Sequence, residues 1–161
     1  MKHDKLIAID LAKSVFQVCV LNKGCDISLN KQLSRPKLQQ FLAQQEPTTI
    51  VMQACYSSHY WGRFCEELDH DPKLIPAQHV KPFVRGNKND ANDALAIAEA
   101  ARRPNLRFVP IKTCEQQDIQ ALHRVHERLT DSRRRLSNQT RGLLSEYGII
   151  LAKGYGPFKK P

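Results

Sequence analysis

The chain has 161 residues, 41% apolar and 7% aromatic, enough for one domain with a sizeable core and too apolar for a disordered segment. Its net charge of +9 and pI near 9.5 favour a polyanionic partner, because clustered Lys and Arg release counterions from phosphates; a basic chain that is merely soluble is the alternative. No apolar run approaches the length of a bilayer crossing, no signal peptide precedes the first strand-like run, and five scattered cysteines without a CxxC pair argue against a disulfide framework or zinc site, so a cytoplasmic, non-membrane protein with reduced thiols is expected.

In chain order, Leu6-Ile7-Ala8-Ile9-Asp10 is a short apolar run ending on an acid. Residues 15–21 are rich in β-branched and aromatic side chains, and Asn22-Lys23-Gly24 supplies a turn before a third strand over 27–33. Pro36 suits the first turn of a helix that opens near Ser34 and runs to about Gln45. Residues 48–53 read as a buried strand. Ser57 or Ser58 then caps a helix that turns Tyr60, Trp61, Phe64, Cys65 and Leu68 inward. Lys73-Leu74-Ile75 is a short strand closed by Pro76, the stretch 82–92 is loop-like, and 91–101 is helical. Three early antiparallel strands followed by alternating helices and strands predict an α/β fold with an RNase H-like mixed sheet; a doubly wound parallel sheet would alternate from the start.

Residues 115–147 lack proline, and Leu122, Leu129, Leu136 and Leu143 recur every seven residues. The companion positions Ile119, His126, Arg133, Thr140 and Tyr147 are less apolar than a full zipper would have. Two readings are open: a long helix that packs its leucines on the domain, and a helix that pairs protomers. Its arginines give it a basic face, either solvated or in contact with nucleic acid. The expected organisation is a domain over 1–112, a long basic helix and coiled-coil assembly element over 113–148, and a linker or disordered tail over 149–161.

Asp10, Asp90 and Asp93 are the strongest candidates for chemistry. Asp10 ends a strand, where a side chain emerges at the sheet edge, and Asp90 and Asp93 share one face of a helix's first turn. Taken singly, each has a plainer role as a cap, a helix-dipole partner or a turn residue. Together they change meaning. Two carboxylates about 4 Å apart repel by roughly 4 kcal/mol at an effective dielectric of 20, so a cluster implies a bound cation. Mg²⁺ prefers such hard oxygen ligands and supports phosphoryl transfer.

Ala8-Ile9-Asp10-Leu11-Ala12-Lys13, Met52-Gln53-Ala54-Cys55-Tyr56-Ser57-Ser58-His59-Tyr60-Trp61, Ile75-Pro76-Ala77-Gln78-His79-Val80-Lys81-Pro82-Phe83-Val84 and Gly86-Asn87-Lys88-Asn89-Asp90-Ala91-Asn92-Asp93-Ala94 resemble the blocks of the IS110 insertion-sequence transposases and the related Piv DNA invertase. Ala100-Ala101-Arg102-Arg103-Pro104 and the stretch from Gln120 to Leu144 fit the same pattern. The resemblance implies a RuvC-like DEDD domain whose four acids bind Mg²⁺ or Mn²⁺ for DNA strand cleavage and exchange. It also implies assembly through a following helix, and a structured guide RNA as partner. Asp10, Asp90 and Asp93 match as catalytic and metal-binding acids. The second acid falls on Gln53, which offers a carbonyl oxygen without charge, so weakened metal binding is expected. The family's nucleophilic serine belongs to a C-terminal domain beyond Pro161, and Ser57, Ser58 and Ser145 lack its surroundings.

Lys13, Lys81, Arg85 and Lys88, in or beside these blocks, and Arg124, Arg128, Arg133, Arg134, Arg135 and Arg141 on the long helix are the candidates for nucleic-acid contact. Three readings follow: a transposase domain active only in a longer protein, a non-catalytic nucleic-acid-binding and oligomerisation module, and an independent nuclease that lacks an identifiable fourth acid.

Overall fold

The computed structural model describes residues 5–22, 26–84, 90–154 and 156; the side chains of Asp90 and Ala91 lie outside the description. It divides into two compact units, Met1–Thr113 and Cys114–Pro161.

The first unit contains a five-stranded sheet of β1 (Leu6–Asp10), β2 (Val15–Leu21), β3 (Ile27–Ser34), β4 (Thr49–Gln53) and β5 (Asp71–Ile75), in the order β3-β2-β1-β4-β5. β1, β2 and β3 are antiparallel, with Leu6 opposite Leu21 and Asp10 opposite Gln17. β4 joins β1 in parallel after α1 (Arg35–Ala43), and β5 joins β4 in parallel after α2 (Ser58–Glu66). This is the RNase H-like α/β arrangement that the order of elements predicts.

Period-two alternation gives the sheet two apolar faces. Ile7, Ile9, Phe16, Val18, Ile50, Met52 and Leu74 form one core with Leu38 and Leu42 of α1 and Trp61 and Cys65 of α2. Leu6, Ala8, Cys19, Leu21, Val51 and Ile75 form the other with Ala94, Ala96, Ile97 and Ala98 of α4 (Asp90–Ala101). The alanines of α4 let its axis approach the sheet closely. The large side chains buried on both faces each contribute about 1.5–3 kcal/mol.

Local structure departs from the sequence reading in three places. Ser57 occupies the N-cap of α2 without a side-chain cap bond. Ser58 Oγ instead donates to the Cys55 carbonyl at 2.9 Å and accepts the Cys55 N–H at 3.2 Å. Trp61 and Cys65 are fully buried, but Tyr60 is 43% exposed, so the inward face of α2 is narrower than its aromatic content suggests. Third, α3 (Ala77–Val80) and a 3-10 turn (Lys81–Phe83) occupy the stretch after Pro76, where Val80 buries beneath α4.

Two turns have clear causes. Asp69 takes φ +61° just after α2, allowing the His70 N–H to return to the Cys65 carbonyl at 3.0 Å. His70 is then buried, its Nδ1 accepting the Thr48 N–H at 3.2 Å and its Nε2 lying 3.1 Å from the Leu42 carbonyl. One imidazole thus joins the end of α1 to the start of β4.

In the second unit, α5 (Cys114–Ser145) runs for 32 residues. Arg141 donates to the Ala152 carbonyl at 3.2 Å and to the Gly154 carbonyl, and its side chain also meets Ser137 and Asn138. The segment after the helix is therefore clasped back onto it. Leu122, Leu129, Leu136 and Leu143 are between 60% and 71% exposed, so the leucine stripe stays open among the described residues.

Candidate active site

β1 and β4 are parallel and in register through Ile9 opposite Met52. The next residues, Asp10 and Gln53, therefore end their strands at the same level, on neighbours spaced ~4.8 Å apart. Alternation puts Asp10 on the face of Leu6 and Ala8, and Gln53 on that of Val51, which is the face covered by α4. Both are partly exposed.

The direction of α4 completes the arrangement. Arg102, one residue past its end, donates from Nη2 to the Asn22 carbonyl at 3.3 Å. Asn22 follows Leu21, which pairs with Leu6 at the beginning of β1. α4 therefore runs opposite to β1, and its first turn lies toward the strand end that carries Asp10. A 12-residue helix is ~18 Å long and a five-residue strand ~17 Å, so the two lengths match. Asp90 begins this helix and Asp93 is half-buried one turn on.

The side chain of Asp90 lies outside the described residues, as do Arg85 and Lys88 entirely. Among the described residues no three His, Cys, Asp or Glu side chains converge to hold a metal. Gln53 is not an acid, which leaves Asp10 and Asp93 as the described carboxylates of the pattern.

Sequence reasoning missed Gln17. It lies opposite Asp10 on β2, on the face of Cys19 and Leu21, and is only 6% exposed. Its Nε2 donates to Asn30 Oδ1 on β3. Gln17, Asp10 and Gln53 thus form a polar row across three adjacent strands where the apolar face ends. The available signal was a single amide inside the apolar run of β2.

The Cys19 and Cys65 thiols lie in the two cores. Burial, with a smaller contribution from Glu66, pushes the Cys65 thiol up to about 12, and burial raises that of Cys19. Both are protonated and non-nucleophilic near neutral pH.

The basic candidates are distributed unevenly. Lys13, in the β1–β2 turn, and Lys81 are exposed. On α5, Arg124, Arg128, Arg133, Arg134 and Arg135 are exposed, and Arg134 pairs with Asp131 at 2.7 Å. Arg124, Arg128 and Arg135 make one stripe: Arg128 and Arg135 lie roughly 100° around the helix from the leucines that follow them, and Arg124 roughly 160° from Leu122. Arg141 is half-buried and engaged with the segment that follows the helix.

Known proteins resemble this chain along most of its length. A probable family 20 transposase of Pseudomonas aeruginosa is 47% identical over 147 residues, 91% of this chain and 44% of that protein. The transposase for insertion sequence element IS1111A of Coxiella burnetii is 44% identical, with 96% of this chain and 42% of that protein covered. The IS1328 transposase of Yersinia enterocolitica is 41% identical, with 99% and 48% covered. The chain thus spans less than half the length of these curated relatives. Among solved structures, Thermus thermophilus RuvC is similar at TM-score 0.49 and 12% identity, covering 65% of this chain and 99% of RuvC. RuvC in complex with a Holliday junction substrate gives 0.47 and 11%, covering 66% and 100%. Residues 7–149 match the DEDD transposase family of the IS110 type, described as transposase, and the chain belongs to that family.

Proposed function

We propose that the chain is the metal-dependent DNA-cleaving domain of a transposase, with Asp10, Asp90 and Asp93 as metal ligands and Gln53 as a weakened fourth position. The observation that carries this reading is the placement of Asp10 beside Gln53 at one strand edge, beneath a helix whose first turn carries Asp90 and Asp93. The donors present are carboxylate and amide oxygens, which suits a hard divalent cation such as Mg²⁺ or Mn²⁺. When bound, such an ion activates a nucleophile and neutralises charge at the scissile phosphate.

The residues of the chain divide the remaining work. Asp10 ends a strand paired on both sides, so its backbone is held at a fixed place on the sheet edge. Asp93 comes from the first turn of a helix, where backbone N–H groups favour negative charge. Gln53 contributes an oxygen but no charge, so the cation is attracted less strongly than by a fourth carboxylate. Strand exchange is assigned to a protein of the length of the relatives, working in the cytoplasm on DNA with a structured guide RNA.

Calorimetric titration of Mg²⁺ and Mn²⁺ into the chain and into Gln53→Glu tests this reading. Tighter binding by the variant supports it; equal binding by the two removes Gln53 from the site.

A second reading has its own observation. The exposed leucine stripe of α5 and the separate arginine stripe on the same helix suit a module that pairs protomers on one face and holds nucleic acid on another. Salt-sensitive nucleic-acid binding without cleavage, in the presence of Mg²⁺ and on Gln53→Glu as well, would favour this reading.

A further inference from the structure

A basic and aromatic cluster lies at the same sheet edge, on the side away from α4. Arg35 follows Ser34, which pairs with Val15 at the start of β2, two residues beyond the Gln17–Asp10 pair. Its guanidinium lies 5.2 Å from the Trp61 ring, 5.6 Å from Tyr60 and 5.7 Å from Phe16. Trp61 is fully buried and meets Phe16 and Tyr60 edge-on at 5.1 and 5.5 Å, so the surface beneath Arg35 is fixed. Gln39 Nε2 donates to the Tyr60 hydroxyl at 3.4 Å and further restrains that ring.

Arg35 itself is exposed, and among the described residues no carboxylate pairs with it. Close to three aromatic rings and still exposed, a guanidinium offers both a cation and a planar group. Tyr56 adds a second plane: it is 73% exposed and lies four residues before Tyr60. It is also three residues past Gln53, within ~11 Å along the chain even if fully extended. That is about three nucleotide rises along a strand.

We propose that Arg35, Tyr56 and Tyr60 form a stacking platform for unpaired nucleobases of a nucleic-acid strand that passes the acidic edge of the sheet. The chemistry is base-on-aromatic and base-on-guanidinium stacking, which duplex DNA cannot satisfy because its bases are already stacked. The proposal rests on the reading that the chain binds nucleic acid, and it adds a preference for unpaired segments close to the acids. Tyr60 is 43% exposed and Tyr56, four residues earlier in the chain, 73%, so both rings present surface to solvent.

The test compares fluorescently labelled oligothymidine, oligouridine and a DNA duplex of equal length, titrated with the wild-type chain and with Tyr56→Ala, Tyr56→Phe and Arg35→Ala. Circular dichroism checks that each variant is folded. Tyr56→Ala is expected to weaken single-strand binding between about fivefold and a hundredfold and to leave duplex binding within about twofold, because no charge is removed. Tyr56→Phe keeps the ring and should bind like wild type. Arg35→Ala should weaken both ligands, the single strand more. Oligothymidine and oligouridine distinguish DNA from RNA as the source of the bases. If the wild-type chain binds all ligands and Tyr56→Ala changes none of them, the platform is overturned and the nucleic-acid reading stands. If the wild-type chain binds none, both fall.

Discussion

Asp10 and Gln53 terminate adjacent parallel strands one residue beyond the Ile9–Met52 pair, so an amide stands on the strand beside the strand-held carboxylate of the acidic edge. Restoring a carboxylate has two opposed effects. Without metal, the new carboxylate and Asp10 repel, by roughly 4 kcal/mol at 4 Å and an effective dielectric of 20, and less where solvent reaches them. With Mg²⁺ the same pair attracts the cation. Gln53→Glu is therefore expected to lower the melting temperature in EDTA and to regain it in millimolar Mg²⁺, while wild type changes less between the two. Metal affinity should rise about tenfold or more. A variant whose melting temperature ignores Mg²⁺ would place residue 53 outside any metal site.

A separate prediction concerns the packing of α2. A Cβ at Gly62 would lie 2.8 Å from Ile111 Cδ1 and 2.9 Å from Cγ1, closer than packed carbons tolerate. The Ile111 segment is anchored nearby by the Val109 N–H, which donates to the Leu74 carbonyl at 2.8 Å. It therefore has limited room to retreat. Gly62→Ala should cost about 1–3 kcal/mol in chemical denaturation. Adding Ile111→Val, which removes the nearest carbon, should recover part of that loss. Additive effects of the two changes would show that the contact is not the cause.

Much of the architecture was legible in the linear sequence because β1, β2 and β4 are short, mostly apolar runs, two of them followed closely by turn residues. Asp10 stood out because it interrupts such a run at its end. Gln17 did not, since its burial depends on β3 supplying Asn30 as a partner, a contact no local pattern encodes. The short α3 and the 3-10 turn were hidden for a similar reason: Pro76 and Pro82 punctuate the stretch, and only burial of Val80 under α4 makes helical turns worthwhile there. Tyr60 looked inward by spacing, but Trp61 fills the available space and leaves its neighbour at the surface. The clasp of Arg141 on Ala152 joins a side chain to a backbone carbonyl, which leaves no mark on residue type.

His59 gives the fold an acid-sensitive joint. Its Nδ1 accepts the Lys112 N–H at 3.2 Å, and Arg63 donates to the Lys112 carbonyl at 2.5 Å. Burial lowers the imidazole pKa, and the positive charges of Lys112 and Arg63 lower it further. A group whose folded pKa lies below its unfolded value of about 6.5 contributes stability that is present above that value. The contribution is lost as pH falls through the folded pKa, when the ring must take a proton and give up its acceptor. Melting temperature should hold from pH 8 to 7 and decline below about 6.5. In His59→Asn, which keeps an acceptor and does not titrate, the decline should be shallower; parallel curves for the two proteins would exclude His59 as its source.

The leucine stripe of α5 yields the last prediction. Leu122, Leu129, Leu136 and Leu143 are spaced for a two-helix interface, are exposed in the single chain, and lie away from the segment that Arg141 clasps. In that register His126, Arg133 and Thr140 are the companion positions, and Arg133 would meet its own copy across an in-register parallel pair. Sedimentation velocity should show a concentration-dependent dimer that is weak for so long a helix. Each leucine buried on pairing contributes about 1.5–3 kcal/mol, so Leu129→Glu with Leu136→Glu should weaken association by at least about a hundredfold. Arg133→Leu should strengthen it by removing like charge and adding apolar surface. Arg128→Glu, on the arginine stripe about 100° around the helix from Leu129, should change it much less than the leucine substitutions do while reducing nucleic-acid affinity. A wild-type chain that sediments as a monomer at all concentrations, with Arg133→Leu doing the same, would remove protomer pairing through this helix.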